Sequence, residues 1–136
     1  MVDKVNNTSY YEGAALVKRT AFMAEQTKNR AQARQDGNLT VLDLGCGLGT
    51  VPFLLGSLGY QVIGVDLDAD TIADCQQRNQ SPNVTFIVGN AETLHLKQKF
   101  DVVIASEVIE HVPHPNLVVK TMAEHQWQRV SMMAPI

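Results

Sequence analysis

Residues Val41–Thr50 read VLDLGCGLGT, and this stretch decides the fold. A short apolar run leads directly into glycines at alternate positions, Gly45, Gly47 and Gly49, and an apolar helical pattern follows. The pattern predicts a buried strand that turns sharply into a helix and leaves room for a ligand against the main chain, because glycine adopts backbone angles closed to other residues. Asp66 ends the next apolar run, at the distance where nucleotide-binding α/β units place the carboxylate that holds ribose hydroxyls.

The spacing of the glycines separates this turn from a dinucleotide-binding fingerprint. In G-x-G-x-x-G the third glycine would follow Gly49, so here it comes one position early. Asp43 also lies inside the strand, two residues before Gly45. A pyrophosphate prefers the free N–H groups of a helix N-terminus, and a carboxylate at Asp43 would repel it. A nicotinamide-dependent oxidoreductase domain is therefore the less favoured alternative.

Strand-like and helix-like segments alternate along the rest of the chain, which predicts a parallel sheet with right-handed crossovers. The predicted strands are Leu39–Leu44, Gln61–Asp66, Val84–Val88 and Phe100–Ser106, and Val130–Ala134 can form a short fifth. One or two helices are predicted between Tyr10 and about Arg34. Three more are predicted to begin at capping residues: one from Thr50 to Gly59, one from Asp68 to about Asn79, and one from Asn116 to about Gln128.

Four stretches, in chain order, resemble motifs of class I S-adenosylmethionine-dependent methyltransferases. They are Asp43-x-Gly45-x-Gly47-x-Gly49, Gly64-Val65-Asp66-Leu67, Gly89-Asn90-Ala91-Glu92 and the segment Phe100–Val112. The likeness is greatest to the small-molecule type, similar to ubiquinone-biosynthesis O-methyltransferases, and covers about Leu39 to Glu124. It implies an α/β, Rossmann-like sheet of four to five strands here, S-adenosyl-L-methionine as the cofactor, and methyl transfer to a small-molecule acceptor.

The resemblance also assigns roles to single residues. It implies that Asp66 holds the ribose diol and that Leu67 lies against the adenine. Asn90 and the backbone N–H of Ala91 would read the adenine edge, and since most relatives have Asp at the position of Asn90, we expect weaker or altered adenine binding. The remaining cofactor contacts that it implies are Gly45, Cys46, Gly47 and Gly49 in the turn, with Asp43 and Ser106 near the amino-acid end of the cofactor.

His111 is the candidate catalytic residue. It lies in the segment that, in the resembling family, enters the substrate pocket, and histidine titrates near neutrality, so it is a candidate general base. His111 and His114 have a spacing that suggests a metal site, but the intervening Pro113 breaks any helix that would aim both rings the same way, and we expect no metal.

Length and composition limit the number of globular units and the kinds of partner. The chain has 136 residues and a net charge of −3, which favours one globular unit and gives no general field for nucleic acid or anionic membranes. Five of the eleven basic residues fall between residues 10 and 34, where a solvated helix face is favoured over a nucleic-acid contact.

We expect an N-terminal helical segment at 1–38 and a cofactor-binding core at 39–136. The two cysteines suit a reducing cytoplasm, and no run reaches membrane-spanning length.

The C-terminal part departs from the family pattern. Relatives continue with a fifth strand and an antiparallel hairpin that complete a seven-stranded sheet, whereas only residues 126–136 remain here. We therefore expect a chain that is truncated at its C-terminus, or a homo- or hetero-oligomer in which a partner covers the open sheet edge. A non-catalytic, cofactor-binding or scaffolding subunit is the alternative function.

Overall fold

The structure is a computed structural model, and it describes residues 22–29, 38–106 and 108–127. Residues 22–29 are helical and are called α1. The strands are β1 Thr40–Leu44, β2 Gln61–Asp66, β3 Val84–Val88 and β4 Val102–Ile104. The further helices are α2 Thr50–Ser57, α3 Ala69–Arg78 and α4 Pro115–Glu124.

The four strands form one parallel sheet in the order β3-β2-β1-β4. The chain therefore moves from β1 outward to β3, and then returns to the other side of β1 with β4. The carboxyl ends of all four strands meet at one edge, and the point where the strand order reverses leaves a crevice beside β1. The predicted α/β, Rossmann-like class with four to five strands is confirmed.

Each face of the sheet carries its own apolar cluster. Val41 of β1 points into the cluster that includes Met23 of α1 and Leu55 of α2, while Leu42 and Leu44 point into the cluster that includes Val118 of α4. Alternate residues of β1 are therefore buried on opposite faces. This explains the continuous apolar run in the sequence, because a strand covered by helices on both sides has no solvent face.

The fourth strand is shorter than predicted. Phe100–Ser106 was the expected range, but the ladder to β1 includes only Val102–Ile104. The Asp101 carboxylate accepts hydrogen bonds from both the backbone N–H and the hydroxyl of Thr40, at 2.9 and 3.1 Å, beside the backbone bond from the Asp101 N–H to the Thr40 carbonyl. Phe100 instead makes an isolated parallel bridge to Gln126.

Two of the three predicted helix caps are wrong. Thr50 is the first residue of α2, and Gly49 precedes it as the cap at φ +85°, because the turn needs a left-handed residue there. Asn116 lies inside α4, which begins one residue earlier at Pro115, a residue suited to a first turn whose N–H groups have no helical partner. The Asp68 cap of α3 is confirmed, since its carboxylate accepts from the N–H groups of Asp70 and Thr71.

Some expectations fall on residues outside the described ranges. These are most of the N-terminal segment 1–38 and the proposed fifth strand at Val130–Ala134. The last helix, predicted to reach about Gln128, ends at Glu124 instead, and Gln126 pairs with Phe100 as an isolated bridge. The division at residue 38, the truncated C-terminus and an oligomer that covers β4 stay predictions. Of the helices that the structure describes, none is both long and apolar enough to cross a membrane.

Candidate functional site

The turn after β1 is bound tightly to the end of β2. The N–H groups of Gly45 and Cys46 both donate to the Val65 carbonyl, at 2.7 and 2.9 Å. Gly45 has φ +74°, and a Cβ atom built on it would lie 2.0 Å from Cγ2 of Val108. Any side chain at Gly45 would therefore strain the backbone and displace the loop that follows β4.

Asp66, at the end of β2, faces the turn. Its Oδ2 accepts from the Gly47 N–H at 2.9 Å, and its Oδ1 accepts from the Asp68 N–H at 3.0 Å. Two backbone donors thus fix the orientation of the carboxylate. Since each carboxylate oxygen can accept more than one hydrogen bond, both oxygens keep capacity for hydroxyl groups of a ligand.

A cavity of about 300 Å³ opens at this edge of the sheet. The structure brings most of the predicted site residues into its wall: Gly45, Asp66, Leu67, Asn90, Ala91, Ser106 and His111. Gly89, Val108 and Val112 also line the cavity and were not among the candidates. All three lie in the stretches that resemble the family, but the closeness of Val108 to Gly45 depends on how its loop folds back.

Asn90 makes hydrogen bonds within the loop that follows β3. Its Oδ1 accepts from the Glu92 N–H at 2.8 Å, and its backbone carbonyl accepts from the N–H groups of Thr93 and Leu94. The side-chain carbonyl oxygen thus stabilises the loop after β3. The amide NH2 group has no hydrogen-bond acceptor within the part of the chain that the structure describes, so Asn90 offers two donors, and its Oδ1 can accept one further hydrogen bond.

Asp43 lies under the turn and outside the cavity wall. It is 2% exposed, and its carboxyl group has no hydrogen-bond partner among residues 22–29, 38–106 and 108–127. Burial, and then the negative charge of Asp66, raise the pKa of Asp43 to about 8. The ligand-free site therefore holds an acid that is largely protonated at neutral pH, one that a nearby cation would convert to the carboxylate.

The other turn residues predicted to contact the cofactor also lie outside the wall. Cys46 is buried, and its Sγ would be 3.1 Å from a Cβ atom on Gly64, so it fills the space where the turn crosses β2. Burial strongly raises the pKa of the Cys46 thiol, which leaves it unreactive. Gly47 contributes through its N–H to Asp66, and Gly49 is the cap of α2.

The loop after β4 supplies the opposite wall with His111. The His111 N–H donates to the Val108 carbonyl at 3.0 Å, and its ring is exposed at the cavity. The His114 N–H donates to Oε1 of Glu92 at 3.4 Å. Within the described ranges no three His, Cys, Asp or Glu side chains gather in a way that would hold a metal ion. The roles of His111 and of the cofactor residues stay predictions.

Comparison with known proteins identifies the family. A family model described as a methyltransferase domain matches residues 35–133, which include all four strands. The chain belongs to the methyltransferase-domain family. The predicted membership among class I S-adenosylmethionine-dependent methyltransferases is thereby confirmed.

Two relatives and one solved structure show how far the methyltransferase domain is shared. A ubiquinone biosynthesis O-methyltransferase from Bradyrhizobium diazoefficiens is 36% identical over 89 residues, which are 64% of this chain and 35% of that protein. An uncharacterized RNA methyltransferase from Staphylococcus aureus is 35% identical over 104 residues, 71% of this chain and 21% of that protein. A crystal structure of a glycopeptide N-methyltransferase complexed with sinefungin superposes on this chain with a TM-score of 0.69. The superposition covers 82% of this chain and 47% of that one, at 20% sequence identity, and shows that the two share a fold. The methyltransferase domain described here thus spans about a third or less of these two relatives.

Proposed function

We propose that this chain binds S-adenosyl-L-methionine in the cavity beside β1 and serves methyl transfer from it. The observation that carries the proposal is the Asp66 carboxylate, fixed by the N–H groups of Gly47 and Asp68 at the mouth of a cavity of about 300 Å³. A carboxylate fixed in this way accepts two hydroxyl groups in charge-assisted hydrogen bonds.

The residues present fit this cofactor. Asp66 would hold the ribose diol, Leu67 would cover one face of the adenine, and Asn90 with Ala91 would meet the adenine edge. Asp43 carries the only buried carboxyl group under the described turn, and it would favour the positively charged amino-acid end over a pyrophosphate. When bound, the cofactor supplies an activated methyl group on a sulfonium. The protein's share is to position an acceptor in line and to exclude water.

For the acceptor we propose a small molecule with a hydroxyl or another acidic group. His111 lies in the cavity wall, where it can take a proton from such a group. The net charge of −3 favours a small acceptor over RNA, although one relative carries an RNA methyltransferase name. The free cysteines Cys46 and Cys75 support a reducing, cytoplasmic compartment.

Titration calorimetry tests the cofactor. We expect S-adenosyl-L-homocysteine, the demethylated product, to bind the folded chain with one-to-one stoichiometry, and NADH to give no heat of binding. Binding of NADH in its place would favour the oxidoreductase alternative, and the absence of any binding to folded protein would refute the proposal.

A methyl-transfer assay tests the acceptor. Radiolabelled S-adenosyl-L-methionine would be incubated with the chain and either a panel of phenols, catechols and amines or total RNA. Label in a small-molecule fraction supports the proposal. Label in the RNA alone would contradict the small-molecule acceptor while leaving the cofactor site intact.

A further inference from the structure

The glycine turn is also bound from the side of α3. The Cys75 thiol donates to the Gly47 carbonyl at 3.3 Å, and Nη2 of Arg78 donates to the Leu48 carbonyl at 2.7 Å. Cys75 and Arg78 are three residues apart, so they share one face of the helix. Two consecutive carbonyl groups of the turn are thus bound by two side chains of a single helix.

Arg78 is itself held in place by its surroundings. Its Nε donates to Oδ2 of Asp74 at 2.8 Å, one helical turn earlier. Its guanidinium group also lies over the Phe53 ring, 5.3 Å from the ring centre, and Phe53 packs against Phe86 at 5.1 Å between ring centres. A guanidinium fixed by an ion pair and a ring has fewer conformations to lose when it binds the Leu48 carbonyl.

The contacts from α3 and from Asp66 meet at Gly47. Its carbonyl accepts from Cys75, and its N–H donates to the same Asp66 carboxylate that faces the cavity. Burial raises the pKa of the Cys75 thiol, so near neutrality it keeps the proton that it donates. The conformation of the turn therefore determines where the Asp66 carboxylate is held.

We propose that Arg78 and Cys75 are positioning residues that hold the Gly47–Leu48 segment in its ligand-ready conformation, and thereby orient Asp66 toward the cavity. Neither residue lines the cavity. Their effect on affinity arises because a turn that is already ordered loses less conformational entropy when a ligand binds. This inference rests on the proposed cofactor site, but its first test does not.

Amide hydrogen exchange on the ligand-free protein tests the positioning directly. In Arg78→Ala we expect exchange across residues 45–50 to rise about tenfold, because loss of about 1.4 kcal/mol of local stability raises the open population by that factor. The matched control is Lys120→Ala on α4, which removes another i,i+4 pair, Lys120 with Glu124, far from the turn. In that control we expect exchange across residues 45–50 to stay as in the unchanged protein.

Binding of S-adenosyl-L-homocysteine, measured by calorimetry, tests the consequence. We expect about fivefold weaker binding for Arg78→Ala and about threefold weaker binding for Cys75→Ala, as for the loss of single hydrogen bonds. Cys75→Ser keeps a hydrogen-bond donor and should restore the affinity that Cys75→Ala loses, whereas Cys75→Val, which fills the space without a donor, should not restore it.

The outcomes separate the two proposals. If the unchanged protein does not bind S-adenosyl-L-homocysteine, the proposed function fails while the exchange experiment still decides the role of Arg78. If Arg78→Ala matches Lys120→Ala in both exchange and affinity, the positioning role is refuted. Should Arg78→Ala fail to fold, equal affinities for Cys75→Ala and Cys75→Ser would refute it instead.

Discussion

The turn after β1 and the loop after β4 line the same cavity, but they are held in different ways. The turn is bound through the Val65 carbonyl, the Asp66 carboxylate and two side chains of α3. In the loop, the hydrogen bonds among the described residues include those from His111 to Val108 and from His114 to Glu92, while Val108, Ile109 and Val112 pack against the apolar cluster of that sheet face. One wall of the cavity is thus held by hydrogen bonds to β2 and α3, and the other mainly by apolar packing.

This difference matches the roles proposed for the two walls. A wall that binds the cofactor gains from being ordered in advance. An acceptor must enter and leave beside it, and a loop held mainly by apolar packing can adjust to it.

Asp66→Asn should remove most of the affinity for S-adenosyl-L-homocysteine. The amide presents a donor where the carboxylate accepted from a backbone N–H, so we expect about hundredfold weaker binding of S-adenosyl-L-homocysteine by calorimetry. Asp68→Asn is the control, because asparagine caps helices as well as aspartate does, and its affinity should stay within about twofold of the unchanged protein. Equal losses in both variants would show that Asp66 holds no ligand.

Asp43→Asn should stabilise the ligand-free protein as the pH rises. The folded pKa of about 8 lies far above the value near 4 of an unfolded aspartate, so between these values the folded state holds a proton that the unfolded state has released. Stability then falls with rising pH in this window, by about 4 kcal/mol from pH 4 to pH 7. Urea unfolding at several pH values should show this slope, and Asp43→Asn should flatten it.

The exposed Asp70→Asn is the control for this experiment, and its unfolding free energy should follow the slope of the unchanged protein. An unchanged slope in Asp43→Asn would mean that Asp43 is ionised in the folded state. The same variant should bind S-adenosyl-L-homocysteine more weakly, since the site loses the group that would face the ammonium.

Gly45→Ala tests the contact between the two walls. The new Cβ atom would meet Val108, so the loop after β4 must move, and we expect about tenfold weaker S-adenosyl-L-homocysteine binding together with about 1–3 kcal/mol lower stability. Gly59→Ala has a similar positive φ with no atom within 4 Å of the new Cβ, and it isolates the backbone strain. Equal losses of stability in Gly45→Ala and Gly59→Ala would mean that the loop after β4 moves aside for the new Cβ atom at no measurable cost.

Asn90→Asp should give the smallest change and the opposite sign. One carboxylate oxygen can keep the bond to the Glu92 N–H while the other accepts from the adenine amine, so we expect about fivefold tighter binding of S-adenosyl-L-homocysteine. Asn90→Ala loses the turn as well and should bind more weakly. Tighter binding in Asn90→Ala would exclude the adenine contact at this position.

Most of the fold followed from local patterns. Strand β1, the Asp68 cap and the meeting of Asp66 with the glycine turn were all predictable, because apolar period, capping chemistry and spacing act over short distances. The late start of β4 was not, since the Asp101 side chain bonds to Thr40 of the neighbouring strand β1. The contacts of Cys75 and Arg78 with the turn were missed for the same reason, because only the packing of α3 brings them there.

The cavity residues of the turn could be predicted from the sequence more easily than those of the loop after β4. Gly45, Asp66 and Asn90 stand in motifs with fixed spacing, so their place was predictable. Val108 and Val112 lie in the Phe100–Val112 stretch, but which of its side chains line the cavity depends on the path of the loop. Asp43 was placed correctly inside β1, but the rise in its pKa depends on burial that the sequence does not display.

A nuclear magnetic resonance titration tests the central claim most directly. The backbone amides of the ¹⁵N-labelled protein would be followed while S-adenosyl-L-homocysteine is added. We predict saturable shifts at Gly45, Gly47, Asp66 and Ala91, with none at Thr40 and Trp127, which line a separate cavity around the start of β1. Shifts confined to that second cavity, or no shifts from a folded protein, would contradict the account.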